Sequence, residues 1–539
     1  MHYSYSKSWD FCVLPAGILL TLSFAPFDYS SFALIALAIL FASWRNVSAK
    51  RAALRGYLFG LGAFGSGVSW VYISMHDFGG ANVFGSSLLT GLFAGFWALF
   101  PALSGYLSVK TIPINKGFAR VVGVPAVWIL IEYLRGYWVL NGFPWLHVAY
   151  SQLEMPLAGY IAVAGVYGTG FILALTASIV VEIVWATASA DILLTVNHSY
   201  AKSAFPSSLR IMQAVEHCRG GFLSPAQIKP PLHLIMMLAV LWGTGGLLRN
   251  ITWTHQIGPP IRVSMIQGNI AQDQKWRPEN KISTLLKYKK MTEEHWDSQA
   301  IIWPETAIPA FLDQVQETFL APLRNNAKLH NTDLIISVPV HDRPIDQKYN
   351  AVITIGKDED IYRKTHLLPF GEYLPLQPLS GFVLNMINIK LGNFTAGTAS
   401  QPLLKAGGYP FITLICYEDV FGDLGIRGLP DAAYLVNVTN DGWFGNSIEP
   451  HQHMQMARMR AIETGRFLLR ATNTGMTGIV SPKGEIVSQA PLFQETALTG
   501  TITPMGGMTP YARWGDKPVI GVMVILLLGF MGYSWFFRN

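Results

Sequence analysis

Charge and cysteine are what this 539-residue chain has least of. Charged residues make up only 13% of it, about half the share usual in soluble proteins. The shortage is uneven: residues 1–248 hold 8 of the 33 acidic and 13 of the 39 basic residues. A stretch so poor in charge reads as lipid-embedded, whereas residues 249–517 read as a water-soluble domain. The net charge of +6 lies mostly in the first part. Such an excess belongs to membrane loops rather than to a phosphate-binding groove, so no nucleic-acid partner is expected.

Apolar runs long enough to cross about 30 Å of hydrocarbon lie near 55–75, 84–108, 118–138, 157–187, 231–248 and 518–537. Two shorter runs, 11–27 and 31–44, form a spanning or re-entrant hairpin. The expectation is a membrane α-helical domain of about eight transmembrane helices. It divides into a transmembrane part at 1–248, an extramembrane domain at 249–517 and a last helix at 518–539. Basic residues cluster in alternate loops: Arg45, Lys50, Arg51 and Arg55, then Lys110, Lys116 and Arg120, then Lys202, Arg210, Arg219 and Lys229. The loops near 28–30, 76–83 and 139–156 have no Lys or Arg. By the positive-inside rule the first set is cytoplasmic and residues 249–517 lie outside, which in a bacterium, with these spans in its inner membrane, is the periplasm. Lys7 before the first run mimics a signal peptide, but no small-residue cleavage site follows, so an uncleaved helix is expected.

Two features of the membrane part invite functional readings and receive plainer ones. Gly60-Leu61-Gly62-Ala63-Phe64-Gly65 fits G-x-G-x-x-G, but no strand precedes it and it sits in an apolar helix, so close helix packing is expected. Glu132 and Arg135, three apart on one span, read as a self-neutralising pair.

From residue 261 short β-rich runs alternate with polar helical stretches. Candidate strands are 261–267, 300–304, 333–338, 351–355, 411–416, 434–438 and 467–472; candidate helices are 279–298, 312–329 and 450–465. Ile479 to Val487 reads as a hairpin closed by Pro482-Lys483-Gly484. Several strands are apolar on both faces, as when helices cover a sheet. The extramembrane fold class is therefore a layered α/β sandwich.

Of the cysteines, Cys12 lies in an apolar run and Cys218 in a cytoplasmic loop, which leaves Cys416 alone in an oxidising compartment without a disulfide partner. It ends an apolar strand, where α/β sheets place their chemistry, and Glu418 and Asp419 follow. A free thiol, with pKa about 8.5, is only a few per cent thiolate at neutral pH and needs a base and a nearby cation. Glu305 and Lys364 also stand at strand ends; together the three suggest a site. Glu449, His451 and His453 form E-x-H-x-H, read as lacking the i,i+4 helix spacing of a metal site.

Trp303-Pro304-Glu305, then Lys364 followed by Pro369-Phe370-Gly371-Glu372, then Cys416-Tyr417-Glu418 resemble the Glu–Lys–Cys pattern of the nitrilase superfamily. Asn440 to Gly445 and Gln455 to Arg460 extend the likeness. With the domain set between the last two spans, the chain resembles the superfamily's membrane-embedded branch, the apolipoprotein N-acyltransferases. The resemblance implies a nitrilase-like αββα sandwich, with Cys416 as nucleophile, Glu305 as general base and acid, and Lys364 as oxyanion stabiliser. Glu372, Tyr417 and Glu418 would support them. Trp276, Trp443 and Phe444 read either as lining an acyl path or as packed core aromatics. The resemblance implies a phospholipid acyl donor, a diacylglyceryl apolipoprotein acceptor, a Cys thioester, and neither metal nor cofactor. His366 is second to the site or packed beside it. Leu367 to Phe394, apolar yet rich in Gly and Pro, reads as an arm touching the membrane. Two other readings share parts of this pattern: a membrane-tethered amidase or nitrilase acting on a small amide, and a transporter or sensor with a binding-only domain. On the orientation above, a reporter fused at residue 300 is expected to work only in its exported form; activity solely as a cytoplasmic reporter would overturn that orientation.

Overall fold

The structure, a computed structural model, describes residues 2–113, 117–202, 232–375 and 393–536. Cys218, most of the loop at 188–230 and most of the arm expected at 367–394 lie outside the described residues.

Among the described residues four helical segments are long and apolar enough to cross a membrane: Val83–Thr111, Gly117–Asn141, Pro156–Thr187 and Leu232–Arg249. A fifth is Ala49–Gly67 joined to Val71–Phe78 across a 60° bend. Ser8–Thr21, Ser31–Ser43 and Lys517–Tyr533 are shorter apolar helices. The G-x-G-x-x-G motif is packing, as expected. A Cβ on Gly60 would lie 2.7 Å from Ala98 Cα, and one on Gly62 2.2 Å from the Leu14 carbonyl oxygen. Small residues here let three helix backbones touch.

The strands are β1 (Thr254–Gln256), β2 (Ile261–Gln267), β3 (Ala300–Ile302), β4 (Asp333–Asp342), β5 (Gln347–Ile355), β6 (Asp360–Arg363), β7 (Leu404–Ala406), β8 (Tyr409–Ile415), β9 (Tyr434–Thr439), β10 (Leu468–Thr472), β11 (Gly478–Val480), β12 (Ile486–Gln489), β13 (Thr496–Ile502) and β14 (Met505–Gly507). They form two six-stranded sheets, ordered β13-β2-β3-β4-β5-β6 and β12-β11-β10-β9-β8-β7, beside a β1-β14 pair. The sheets pack face to face through Val263, Ile302 and Ile335 on one and Phe411, Val436 and Leu469 on the other. Helices bearing Leu285, Met291, Leu323 and Ala327 cover the outer face of the first sheet. The helix expected at 312–329 is broken: Leu312–Val315 leads through a π-turn to Ala321–Leu329, which carries Pro322 in its first turn. Proline cannot supply the N–H that a continuous helix would need there.

The second sheet is covered differently. Ile412, Leu414, Leu435 and Leu468 pack beneath helix Glu449–Thr464, whose Met454, Ala457 and Met459 join one hydrophobic core with Trp145, Tyr150 and Tyr167 of the membrane part. The αββα sandwich therefore shares one outer layer with the membrane helices.

The loop at 139–148 makes this junction. Arg135 Nη1 donates to the carbonyls of Phe143 (2.6 Å) and Trp145 (2.7 Å), and Glu132 Oε1 accepts from the Val148 N–H (3.3 Å). The two buried side chains thus do more than neutralise each other: both hold the loop. Gly142 has φ +86°, and a Cβ there would lie 2.2 Å from the Gly136 carbonyl oxygen. Gly142→Ala is expected to destabilise the detergent-solubilised protein by more than about 1 kcal/mol; an unchanged melting temperature would contradict this account of the loop.

Candidate active site

Burial makes the site. Glu305 follows β3, Lys364 follows β6 and Cys416 follows β8, so the rims of both sheets contribute, and the Glu305 and Lys364 side chains are almost wholly removed from solvent. Cys416 keeps partial access. Its φ is +50°, a left-handed conformation that costs a non-glycine residue of order 1–3 kcal/mol and persists only where surroundings impose it.

Glu418 imposes it from one side. Its Oε2 accepts from the Ile415 N–H (2.9 Å), while Oε1 accepts from Tyr362 Oη (2.9 Å), the Thr365 N–H (2.7 Å), Thr365 Oγ1 (2.9 Å) and the His366 N–H (3.1 Å). One fully buried carboxylate therefore ties the Cys416 turn to the segment carrying Lys364. Tyr417 extends the turn the other way: its hydroxyl donates to the Gly142 carbonyl (2.6 Å) and its ring stacks on Trp145 at 5.9 Å. His366 Nε2 contacts the Asn141 carbonyl oxygen at 2.8 Å, and Asn141 Nδ2 donates to the Leu367 carbonyl (2.9 Å). The His366 ring also lies on Phe421, so it both packs and bonds.

Glu372 pairs with Lys364, Oε2 to Nζ 2.8 Å, and accepts from the Leu368 N–H at 2.8 Å. The Asn350 amide bridges Glu305 Oε1 (2.8 Å) and Glu372 Oε1 (3.0 Å). Burial alone would depress the Lys364 pKa, but Glu372 and Glu305 hold it above its ordinary value, so it stays a cation. Burial raises the Glu305 pKa, with Lys364 opposing. Burial and the Glu305 carboxylate push the Cys416 thiol well up, against Lys364 and the Thr439 hydroxyl. The resting state is thus a neutral thiol beside a carboxylate of raised basicity and a fixed ammonium. Such an arrangement suits proton transfer during attack on a carbonyl rather than a preformed thiolate.

The structure thus gathers Glu305, Lys364, Cys416, Glu372, Tyr417 and Glu418. Trp276 and Trp443 are surface residues, 52% and 43% exposed. Trp443 meets Phe78 at 5.9 Å and Phe444 meets Trp70 at 4.8 Å, both on the bent membrane segment.

The comparisons with known proteins fall on both halves. Residues 16–179 match the model of the apolipoprotein N-acyltransferase N-terminal domain, and residues 262–510 that of carbon-nitrogen hydrolases. An apolipoprotein N-acyltransferase of Methylococcus capsulatus is 48% identical over 94% of this chain and 93% of its own. That of Pseudomonas aeruginosa is 38% identical over 96% of this chain and 94% of its own. The chain belongs to the apolipoprotein N-acyltransferase family. Saccharomyces cerevisiae Nit3, of the nitrilase superfamily, is a similar solved structure, at 19% identity and TM-score 0.35, covering 47% of this chain and 93% of Nit3.

Three components of this acyltransferase site escaped the sequence reading. Asn350 sits mid-strand in β5 with nothing in its neighbours to mark it. Lys275 is buried and donates to the Glu305 carbonyl at 3.0 Å; its adjacency to Trp276 was the available signal. The third is a polar cluster behind the nucleophile, where the E-x-H-x-H reading needs correction. Glu449 and His453 are themselves four apart and meet at 3.5 Å, and Asp441 joins them. The guanidinium of Arg470, 3.1 Å from Asp441, already supplies that group with a cation.

Burial lowers the Lys275 pKa to about 8, with Glu305 and Cys416 opposing. A lysine whose folded pKa lies below its unfolded value of about 10.5 binds its proton less well when folded. Its penalty is complete below pH 8 and is relieved as pH rises from 8 to 10.5. Lys275→Met is therefore expected to raise the melting temperature at pH 7 and to lose this advantage towards pH 10.5, while slowing Cys416 acylation. A variant less stable than the parent at pH 7 would refute the assignment.

Proposed function

We propose that this protein transfers an acyl chain from a phospholipid to the N-terminal amine of a diacylglyceryl-cysteine lipoprotein through a thioester on Cys416. The observation that carries the reading is the seating of the nucleophile turn on the membrane part, Tyr417 against Gly142 and Trp145. An amidase for a small soluble amide has no need to build its nucleophile turn into a membrane-facing layer; an enzyme whose substrates are both lipids does.

In the first half-reaction the Cys416 sulfur attacks the ester carbonyl and Glu305 takes the thiol proton. The tetrahedral oxyanion forms against Lys364, a cation fixed by Glu372 in a water-poor site. Collapse breaks the ester C–O bond, and the Glu305 proton goes to the departing lysophospholipid oxygen. In the second, the lipoprotein amine attacks the thioester and yields its proton to Glu305; the thiolate leaves and is reprotonated. Trp276, Trp443 and Phe444 line the approach of the acyl chains. The arrangement is supported by the Lys/Arg distribution with eight spans, a transmembrane part at 1–248, a periplasmic catalytic domain at 249–517 and a last helix at 518–539 in a bacterial inner membrane.

Ping-pong kinetics follow. Cys416→Ala abolishes acyl-enzyme and product, Glu305→Gln strongly slows acylation, and Lys364→Ala removes stabilisation of the order of 2.7–4 kcal/mol. Mass spectrometry after incubation with phospholipid alone is the deciding measurement. An unmodified Cys416 peptide, from enzyme that then acylates added lipoprotein normally, would exclude the mechanism.

A further inference from the structure

Glu418 grips the nucleophile turn from the side of Lys364. The next residue, Asp419, leaves the same turn in the opposite direction and ends in a second, wholly buried polar cluster. Arg470 Nη1, from β10, donates to Asp419 Oδ2 (2.7 Å) and Asn437 Oδ1 (2.5 Å), and Nη2 donates to Asp441 Oδ2 (3.1 Å). The His453 ring spans the same two aspartates, with Nε2 2.7 Å from Asp419 Oδ1 and Nδ1 3.1 Å from Asp441 Oδ1. Asn437 Nδ2 returns to the carbonyl oxygens of Leu414 (3.2 Å) and Cys416 (3.5 Å). Thr439 Oγ1 donates to Asp441 Oδ1 (3.2 Å). Three elements thus converge on the turn: helix Glu449–Thr464 through His453, β10 through Arg470 and β9 with the loop after it through Asn437, Thr439 and Asp441.

Two buried aspartates without partners would be prohibitively costly, and breaking such a cluster on one side strands a charge. Here the account balances. Asp419 and Asp441 raise the His453 pKa to about 10 although burial and Arg470 oppose it, so the ring is an imidazolium. Asp441 lies low, at about 2, because Arg470 and His453 outweigh its burial. Among the described residues Glu449 has no hydrogen-bond partner at either oxygen, and burial beside Asp441 drives its pKa well up, so it stays a neutral acid. Two cations face two anions. The rigid result is anchored to the residue three places beyond the nucleophile.

We propose that Arg470 and His453 are positioning residues that, through Asp419 and Asn437, hold Cys416 in its left-handed conformation and so aim its sulfur. They touch neither substrate nor sulfur; their action passes through the turn. The inference rests on Cys416 being the nucleophile, and a readout independent of lipid chemistry separates the two: alkylation of Cys416 by iodoacetamide, followed by peptide mass spectrometry.

The test uses the full-length enzyme in detergent with Arg470→Met, Arg470→Lys, His453→Gln and Asp419→Asn. Misplacing a reacting atom by about 1 Å can cost about a hundredfold in rate. Arg470→Met is expected to lose about that much in Cys416 acylation by phospholipid, in kcat with KM nearly unchanged, and to alter the alkylation rate. Arg470→Lys, which keeps the charge but not the planar fork, should recover part of the loss. Asp419→Asn, nearly isosteric, decides the matter should Arg470→Met fail to fold: a soluble variant with depressed kcat and changed alkylation supports the proposal. Folded Asp419→Asn and His453→Gln enzymes with parental kcat and alkylation rates, differing only in melting temperature, would overturn it. Should Cys416→Ala retain full activity while these alkylation changes persist, the proposed mechanism fails and the positioning assignment stands.

Discussion

The turn from Ile415 to Asp419 is the constraint from which the rest of the structure takes its form. Cys416 occupies a backbone conformation that its own sequence does not favour, and three neighbouring side chains hold it there. Glu418 binds the turn to the Lys364 segment, Asp419 binds it to Arg470 and His453, and Tyr417 binds it to the membrane part. Each attachment is a buried polar group with its partners supplied. A carboxylate buried with five donors is an inflexible joint, because moving any one of them leaves a buried polar group unpaired at a cost of about 1–3 kcal/mol. Rigid placement of a nucleophile, a base and a cation is what carbonyl chemistry asks of a site.

The membrane part belongs to the same joint. Asn141 and Gly142 reach both the 365–368 segment and Tyr417, and the loop that carries them is braced from below by Arg135 and Glu132. Ionisable residues inside a span are costly and need a reason. Here the reason is mechanical: their hydrogen bonds fix the surface on which the catalytic turn rests. A lipid enzyme gains twice, since the same helices that hold the site are those beside which its substrates diffuse.

Much of this could be read from the residues, and the failures are instructive. Glu305 and Cys416 are each preceded by an apolar strand, so their position at strand ends shows in one dimension; the strand before Lys364, Asp360-Ile361-Tyr362-Arg363, is polar at both ends and far less legible. Glu418 was visible because a carboxylate beside a thiol demands a partner, and Glu372 only through the resemblance carried by Pro369-Phe370-Gly371-Glu372. Asn350 was not, because a polar residue in mid-strand gives no sign of which neighbours it will bridge. Arg470 lies in an apolar strand where a surface position is the ordinary reading; its partners, Asp419 and Asp441, are 51 and 29 residues away and meet only once β8, β9 and β10 align. The i,i+4 relation of Glu449 to His453 was in the sequence, yet attention to the two histidines concealed it. Sheet order was the larger gap: β13, which pairs with β2, had no turn or pattern to link it to a strand more than two hundred residues earlier.

The protonation state of the thiol depends on both the burial and the charges of this joint. Thiolates, not thiols, are the species that oxidants and disulfides attack. A free cysteine is safest from oxidation when protonated, whereas an acyl transfer needs it deprotonated. Burial together with the Glu305 charge keeps Cys416 protonated at rest. The same burial raises the basicity of Glu305, so its carboxylate is a better acceptor for the thiol proton than a solvated one would be. A bound ester changes the balance by offering a carbonyl whose developing negative charge falls to Lys364, a cation kept charged by Glu372 and Glu305. Only then does moving the proton to Glu305 become favourable. One physical condition, a dry pocket with a fixed ammonium, thus protects the nucleophile between turnovers and activates it within them.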